Sequence, residues 1–337
     1  MKYPFRNLVF EGGGVKGIAY AGAMEVLESK NILQQITRVG GTSAGAINAL
    51  LVGLNYSAED TRRILFNMDF NAFMDDQWGV LRDLWRLIRF FGWNKGDVLR
   101  NWFGDLVAQK TGNPNSTFKE IHESGEKEAF RALYFVGTNL STGTLEVFSY
   151  ENTPDMPIAD AVRISMSIPL YFAAVRRNRQ VFVDGGVLNN YPVKMFDRAS
   201  YVERHSVKKA YYEADNAQSG QNHDPHVYNC ETLGFRLDSN SQIKFFVEKT
   251  QPVSRPISNV MVFLKQLIGV LLNAQDAQHL HSDDWQRTIY IDTLGIGTTE
   301  FSLTEQKKQS LIESGKKGAA AYFKWYDDPQ STPANRV

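Results

Sequence analysis

The stretches NLVFEGGGVKG (residues 7–17) and ITRVGGTSAG (residues 36–45) decide the fold. Each begins with a short apolar run, continues into a glycine-rich turn and leads into a segment with helical spacing, over residues 16–28 and 44–52. Two consecutive strand–turn–helix units predict a parallel sheet with crossover helices. We therefore expect a three-layer α/β/α fold with a mostly parallel central sheet.

The rest of the chain carries further helix and strand patterns. Ser57 with Asp60 three residues later predicts the start of a helix through residue 66. The polar segment 212–230 is expected to be a surface loop, and Gly315 and Gly318 are expected to weaken a terminal helix. Predicted strands lie at 132–137, 144–150, 180–183, 232–237 and 288–292. Predicted helices lie at 97–110, 158–166 and 304–325, and 257–280 is expected to form either one long helix or a broken pair of helices.

Length and composition limit the class of protein. Neither an internal repeat nor a Pro- or Gly-rich linker divides the 337 residues, so we expect one domain over 1–337. Its core motifs lie in 6–196, and 197–337 completes it with loops and helices. Hydrophobic (43%) and charged (22%) fractions exclude a disordered or fibrous chain. Lys and Arg (37) balance Asp and Glu (37), so the basic excess of a nucleic-acid-binding protein is missing and no nucleic-acid substrate is expected.

Cysteine usage and the first residues bear on the compartment. Cys230 is the single cysteine, so neither an internal disulfide nor a cysteine zinc site is expected. Residues 1–10 contain no extended apolar segment, which argues against a secretory signal and favours a cytoplasmic location. The uncharged run 39–58 contains glycines and asparagines, and predicts a turn with a buried helix rather than a membrane span. Peripheral membrane association and secretion as an effector remain open, and the oligomeric state is undefined.

The pentapeptide GTSAG (41–45) matches the G-x-S-x-G nucleophile elbow. It lies between a predicted strand and a predicted helix, which is where such an elbow must lie. Gly41 and Gly45 allow the sharp turn and the close approach of neighbouring chain. Ser43 then stands at the start of the helix, so the pattern predicts a nucleophile there.

The glycine turn at 12–14 precedes the first helix, with Gly17 inside it. Backbone N–H groups at the positive end of a helix can hold a small anion, either an oxyanion or a phosphate. The residues also fit the G-x-G-x-x-G dinucleotide fingerprint, but no acidic residue ends the second strand to bind a ribose. A nucleotide- or phosphate-binding regulatory module is the alternative function. Lys16, in the first helical turn, is expected to be a solvated surface lysine.

Asp184-Gly185-Gly186 directly follows a short predicted strand, which places the aspartate at an edge of the sheet. A serine needs a base to accept its proton, and an aspartate can serve if burial raises its pKa. A Ser–His–Asp esterase remains an alternative, because histidines follow Asp184 in the order of that triad. The histidines after Asp184 are His205, His223, His226, His279 and His281, and His122 precedes it. No metal site is expected among them.

The three motifs together resemble those of the patatin-like phospholipases. That family combines a glycine loop, here 11–17, a G-x-S-x-G elbow, here 41–45, and D-G-[GA], here 184–186, in this order. The segment SMSIP (165–169) is similar to the family's small-residue stretch ending in proline, and LGIGTT (294–299) is similar to late segments of bacterial members. The resemblance covers 6–196 strongly and the remainder weakly.

This resemblance implies a Ser–Asp dyad with Ser43 as nucleophile and Asp184 as general base. It implies an oxyanion hole formed by the N–H groups of Gly13, Gly14 and Ala44. The expected activity is hydrolysis of carboxylic esters in membrane phospholipids or other acyl lipids through an acyl-enzyme, with release of free fatty acid. Neither a cofactor nor a metal is implied.

The segment 78–93 is both basic and aromatic. Basic side chains share one predicted helical face, and apolar side chains cover much of the rest, which is typical of an interfacial helix on an anionic lipid surface. An ordinary amphipathic helix packed on the domain is the alternative. The expected lipid-contact residues are Trp78, Arg82, Trp85, Arg86, Arg89 and Trp93.

Overall fold

The computed structural model describes residues 3–73, 92–218, 224–238, 256–258, 262–263, 266–267, 269–270 and 283–336. The strands there are β1 (Asn7–Phe10), β2 (Arg38–Gly41), β3 (Gly92–Asn94), β4 (Ala132–Asn139), β5 (Thr144–Phe148), β6 (Leu170–Phe172), β7 (Val175–Arg177), β8 (Gln180–Asp184), β9 (Ser206–Val207), β10 (Tyr228–Asn229), β11 (Thr232–Asp238) and β12 (Thr288–Asp292). The α-helices are α1 (Tyr20–Ser29), α2 (Ala44–Gly53), α3 (Ala58–Asn67), α4 (Asp97–Thr111), α5 (Phe118–Glu128), α6 (Ile158–Ser165), α7 (Ala210–Gln218) and α8 (Glu305–Asp327). Short 3-10 helices cover Gly14–Ala19, Leu33–Gln35, Gly185–Val187, Val193–Phe196, Ala199–Tyr201 and Asp283–Arg287.

The central sheet has eight strands in the order β12-β11-β1-β2-β4-β8-β7, with β5 also paired to β4. The five strands from β12 to β4 run parallel. β5 and β8 pair antiparallel with β4, and β7 pairs antiparallel with β8. The prediction of a mostly parallel sheet is therefore confirmed, although the sheet is mixed. Asn178 and Arg179 alone connect β7 to β8, and their positive φ angles (49° and 64°) suit a tight two-residue hairpin turn.

Both faces of this sheet are covered, as a parallel arrangement requires. Leu8 and Phe10 of β1 belong to the main core, which they share with the helices. Val9 points to the opposite face and packs with Tyr134 and Phe196. Helix α2 packs against β1, β2 and β4, α6 against β4 and β8, and α8 against β12 and α1. Together these layers form the expected α/β/α arrangement.

The prediction of a surface loop over 212–230 is wrong in part: residues 213–215, 217–218 and 224–225 are exposed as expected, but 212–218 are helical and both ends are buried. This segment begins in α7 and ends in β10, and Tyr212, Tyr228 and Cys230 are buried. The buried ends pack beside an internal ion-pair network of Asp197, Asp284 and Arg287. Arg287 donates to Asp197 at 2.6 Å and lies 4.2 Å from the centre of the Tyr228 ring.

The expectation that two glycines weaken the terminal helix is also wrong. Helix α8 is continuous, and both glycines are contact points. A Cβ on Gly315 would lie 1.8 Å from the carbonyl oxygen of Ala19, and one on Gly318 would lie 2.4 Å from that of Tyr290. The missing side chains let α8 pack closely on the first helical segment and on β12.

Most of the predicted helix at 257–280 lies outside the described residues. Within the described ranges, no helix combines the length and the apolar character needed to cross a bilayer.

Candidate active site

The serine elbow has the geometry that the sequence predicts. β2 ends at Gly41, α2 begins at Ala44, and Ser43 between them has φ 53° and ψ −127°. A positive φ is strained for a serine, and such strain is typical of a nucleophile held on a sharp turn. A Cβ on Gly45 would lie 2.3 Å from the carbonyl oxygen of Phe10, so only glycine permits this contact with β1.

The glycine turn lies against this serine. A Cβ on Gly12 would lie 3.0 Å from the Cβ of Ser43. Gly14 has φ +57°, and a Cβ there would lie 2.0 Å from the carbonyl oxygen of Thr298. The turn is anchored on both sides, by Gly12 N–H to the Asn190 carbonyl (2.9 Å) and by Val15 N–H to the Thr298 carbonyl (3.3 Å).

The expected oxyanion donors are three backbone N–H groups. In the described part of the chain, the N–H groups of Gly13 and Gly14 donate to no backbone carbonyl of another segment. Ala44 is the first residue of α2, where a helix leaves its N–H groups without intrahelical partners. These are the donors expected for the oxyanion hole: Gly13 directly follows Gly12, which lies against Ser43, and Ala44 directly follows Ser43.

The expectation that Lys16 is a solvated surface lysine is wrong. It is only 7% exposed, and its Cε would lie 3.3 Å from a Cβ on Gly13. The side chain thus packs over the glycine turn, which explains why its stem is buried. A Cβ on Gly17 would lie 2.9 Å from that of Ala44, so the first helical segment also packs closely on α2.

Asp184 is the last residue of β8 and is completely buried. Its Oδ1 accepts a hydrogen bond from Gly186 N–H at 2.7 Å, while its buried Oδ2 has no hydrogen-bond partner in the described residues. Burial raises the pKa of Asp184 to about 7, and the Gly186 N–H and the Ser43 hydroxyl each oppose this to a smaller extent. The carboxyl can therefore exchange a proton near neutral pH.

Ser43 and Asp184 are neighbours without a mutual hydrogen bond. The Ser43 hydroxyl is close enough to lower the pKa of Asp184, yet Ser43 Oγ lies against Met166 Sδ at 3.9 Å. Bonds between catalytic groups often tighten only when substrate is bound. A Cβ on Gly185 would lie 2.4 Å from the Val136 carbonyl oxygen, so this glycine lets the chain turn directly after the aspartate.

The segment 165–169, which the sequence marks only by resemblance, contacts both of these residues. Ser165 Oγ accepts a hydrogen bond from Ser43 N–H at 3.1 Å. The carbonyl oxygen of Ser167 accepts one from Asp184 N–H at 2.9 Å. The sequence signal for this role is the pair of serines at the end of α6 and just after it.

The described histidines do not complete a triad. His122 stacks on Tyr150 with ring centres 3.8 Å apart, His205 N–H donates to Glu231, and the His226 ring packs near Tyr212. The remaining three, His223, His279 and His281, lie outside the described residues. Within those residues, no cluster of His, Cys, Asp and Glu is suited to hold a metal ion.

The expected lipid-contact segment lies almost entirely outside the described residues, including Trp78, Arg82, Trp85, Arg86 and Arg89. The backbone of Trp93 belongs to β3, which pairs with β6. That interpretation stays a prediction.

A family model described as patatin-like phospholipase matches residues 8–197. The chain belongs to the patatin-like phospholipase family. This patatin-like chain is 30% identical to the uncharacterized protein YqhO of Bacillus subtilis over 334 residues, which cover 94% of this chain and 97% of that protein. It is 29% identical over 194 residues to a probable lipid hydrolase of invertebrate iridescent virus 6, a match covering 56% of this chain and 62% of the relative.

Solved structures share the fold. VipD from Legionella pneumophila matches with a TM-score of 0.60 and 17% identity, over 96% of this chain and 67% of that one. ExoU from the type III secretion system of Pseudomonas aeruginosa matches with a TM-score of 0.51 and 19% identity, over 96% of this chain and 53% of that one. The expected patatin-like fold is therefore confirmed.

Proposed function

We propose that this protein is a lipid acyl hydrolase that cleaves carboxylic ester bonds of phospholipids or other acyl lipids. The observation that carries the proposal is the buried Asp184 carboxyl, with its pKa raised to about 7, beside a strained elbow serine. The glycine turn packs over the same serine. A base that titrates near neutral pH, a nucleophile and anion-binding N–H groups are the parts that acyl transfer needs. Membership of a family described as phospholipases supports a lipid as the substrate.

In the proposed reaction, the Ser43 hydroxyl attacks the ester carbonyl and gives its proton to Asp184. The N–H groups of Gly13, Gly14 and Ala44 stabilise the resulting oxyanion. The intermediate collapses, the C–O bond to the alcohol breaks, and the alcohol takes the proton from Asp184. Water then attacks the acyl-enzyme, again losing a proton to Asp184. The fatty acid leaves, and the proton returns to Ser43. Backbone donors stabilise the charge, so the scheme requires no metal or cofactor.

We further propose that residues 1–337 act as one domain in the cytoplasm.

We also propose that this domain binds membranes peripherally through the segment 78–93. Arginines near an anionic surface contribute about 1 kcal/mol each to binding. Replacing Arg82, Arg86 and Arg89 with glutamine should weaken binding to anionic vesicles and leave hydrolysis of a soluble short-chain ester nearly unchanged. Co-sedimentation with vesicles measures the first and an ester assay the second. Equal loss of both would assign the segment to packing of the domain.

The test of the activity is incubation with a mixed lipid extract, followed by mass spectrometry of the released products. Free fatty acid should appear with the wild-type protein and not with Ser43→Ala. Asp184→Asn should be nearly as inactive, because an amide cannot accept the serine proton. Activity of Ser43→Ala within tenfold of the wild type would remove this serine from the mechanism.

A further inference from the structure

The last residue of α6 and the residues just after it contact the backbone of both proposed catalytic residues. The contacts are the Ser165 Oγ bond to Ser43 N–H (3.1 Å) and the Ser167 carbonyl bond to Asp184 N–H (2.9 Å). Neither serine has exposed surface. The spacing between nucleophile and base therefore depends on a segment of three residues.

The backbone of Ser43 needs such a partner. It occupies the position before the first residue of α2, with φ 53°, and its N–H has no acceptor within that helix. A buried N–H without a partner destabilises the conformation that leaves it so. The hydroxyl of Ser165 therefore stabilises the strained elbow directly at the nucleophile.

Ser167, whose carbonyl accepts the hydrogen bond from Asp184 N–H, is itself held by Arg163. Ser167 Oγ donates to the Arg163 carbonyl at 2.8 Å and accepts from Arg163 Nη1. The same guanidinium donates to the carbonyls of Gly96 (3.0 Å) and Ala173 (3.1 Å), and Arg163 is only 5% exposed. The segment 165–167 is thus tied to the start of α4 and to the chain after β6.

We propose that Ser165 is a positioning residue, whose hydroxyl holds the backbone of Ser43 so that the nucleophile faces Asp184 and the glycine turn. This inference rests on the proposed function. Ser165 touches the backbone and not the reacting atoms. Since a misplacement of about 1 Å can lower a rate about 100-fold, loss of this bond should be visible in kcat.

The decisive variant is Ser165→Ala, with Ser116→Ala as the matched control. Ser116 is also buried, and its hydroxyl bonds Thr111 Oγ1 (2.9 Å) and the Asn113 carbonyl (3.1 Å), away from the site. On a soluble short-chain ester, kcat of Ser165→Ala should fall about 10- to 100-fold. KM and the pH midpoint should stay close to wild type, because Asp184 and the substrate contacts are intact. The control should keep wild-type kcat, and Ser165→Thr, which retains the hydroxyl, should recover most of the loss.

Amide hydrogen exchange at Ser43 supplies a readout that does not need activity. Exchange there should accelerate about tenfold or more in Ser165→Ala, the factor expected when about 1.4 kcal/mol of protection is lost, and not in Ser116→Ala. Unchanged exchange, or unchanged kcat in an active protein, would overturn the proposal. If the wild-type protein hydrolyses no ester, the proposed function fails, and exchange still decides whether Ser165 holds Ser43.

A second pair of variants covers failure of Ser165→Ala to fold. Ser165→Thr retains an oxygen acceptor, whereas the sulfur introduced by Ser165→Cys is a weak one. Ser165→Thr should have a higher kcat than Ser165→Cys, and its Ser43 amide should exchange more slowly. Equal exchange in both variants would overturn the proposal.

Discussion

Replacing Asp184 with asparagine should stabilise the folded protein at high pH while it abolishes hydrolysis. Burial raises the pKa of this carboxyl from its ordinary value of 3.8 to about 7. Between these two values the folded protein retains a proton that the unfolded chain has released. Stability therefore falls as the pH rises from 3.8 to 7, and the full penalty of ionising the buried group is present above 7.

The size of the effect follows from the same two values. A difference of about three pKa units corresponds to about 4 kcal/mol, which is the largest gain that removal of this charge can produce. The asparagine keeps the Oδ1 acceptor for Gly186 N–H, which is bound at 2.7 Å in the wild type. pH 5 lies only about one unit above the unfolded pKa of 3.8, so the gain in the free energy of unfolding there should be less than about 2 kcal/mol.

Urea unfolding of the wild type and of Asp184→Asn at pH 5 and pH 8 measures this difference. Asp155→Asn is a suitable control, because Asp155 is exposed and its replacement also removes one negative charge. The gain should grow between the two pH values for Asp184→Asn only. A variant that is less stable at pH 8, or a gain that does not depend on pH, would refute the assignment of Asp184 as a destabilised buried base.

Three further predictions concern the rate, the glycine turn and the internal ion pairs. The kcat/KM of the wild type on a soluble ester should rise about tenfold per pH unit below about pH 7 and level off above it, because Asp184 must be ionised to act as the base. A profile that is flat from pH 5 to 8 would contradict this role. Gly14→Ala should lose most of kcat, because its Cβ would lie 2.0 Å from the Thr298 carbonyl, whereas Gly143→Ala has a similar φ (+72°) with open space around it and should remain active. Asp197→Asn should lower the free energy of unfolding by about 3 to 5 kcal/mol in urea titrations, because it leaves the buried Arg287 with one carboxylate fewer; a loss below about 1 kcal/mol would mean that the pair is dispensable.

The parts of the site that sequence could predict are those that leave a recognisable local pattern in the chain. Ser43 requires a sharp turn between a strand and a helix, and the glycines on either side of it leave few other conformations. The same holds for the start of α3, where Asp60 N–H donates to Ser57 Oγ at 3.0 Å as expected. Each of these patterns spans at most five residues, so a sequence displays it directly, although Ser43 also depends on Ser165 through its N–H.

The features that sequence missed depend on partners far along the chain. Segment 212–230 contains many polar residues, and polarity normally indicates exposure. Tyr212 nevertheless hydrogen-bonds Asp197, which in turn binds Arg287, 90 residues later. No periodicity within the segment contains information about that arginine. Helix α5 is a different case, because it begins with a local capping box of Thr117 with Glu120, although no helix is predicted there from the sequence.

The glycine turn also shows why the C-terminal part belongs to the same functional unit. Leu237 of β11 lies against Gly13, where its Cδ1 would be 2.5 Å from a Cβ, and its N–H donates to the Glu11 side chain at 2.6 Å. The Thr298 carbonyl binds the other side of the turn through Val15. Both residues lie beyond the region that the family model matches. The glycine turn that carries the proposed oxyanion donors Gly13 and Gly14 is therefore held in place by Leu237 and Thr298. These contacts support the proposal of one domain over 1–337. They also explain why short motifs identify the reacting groups but not the residues that position them.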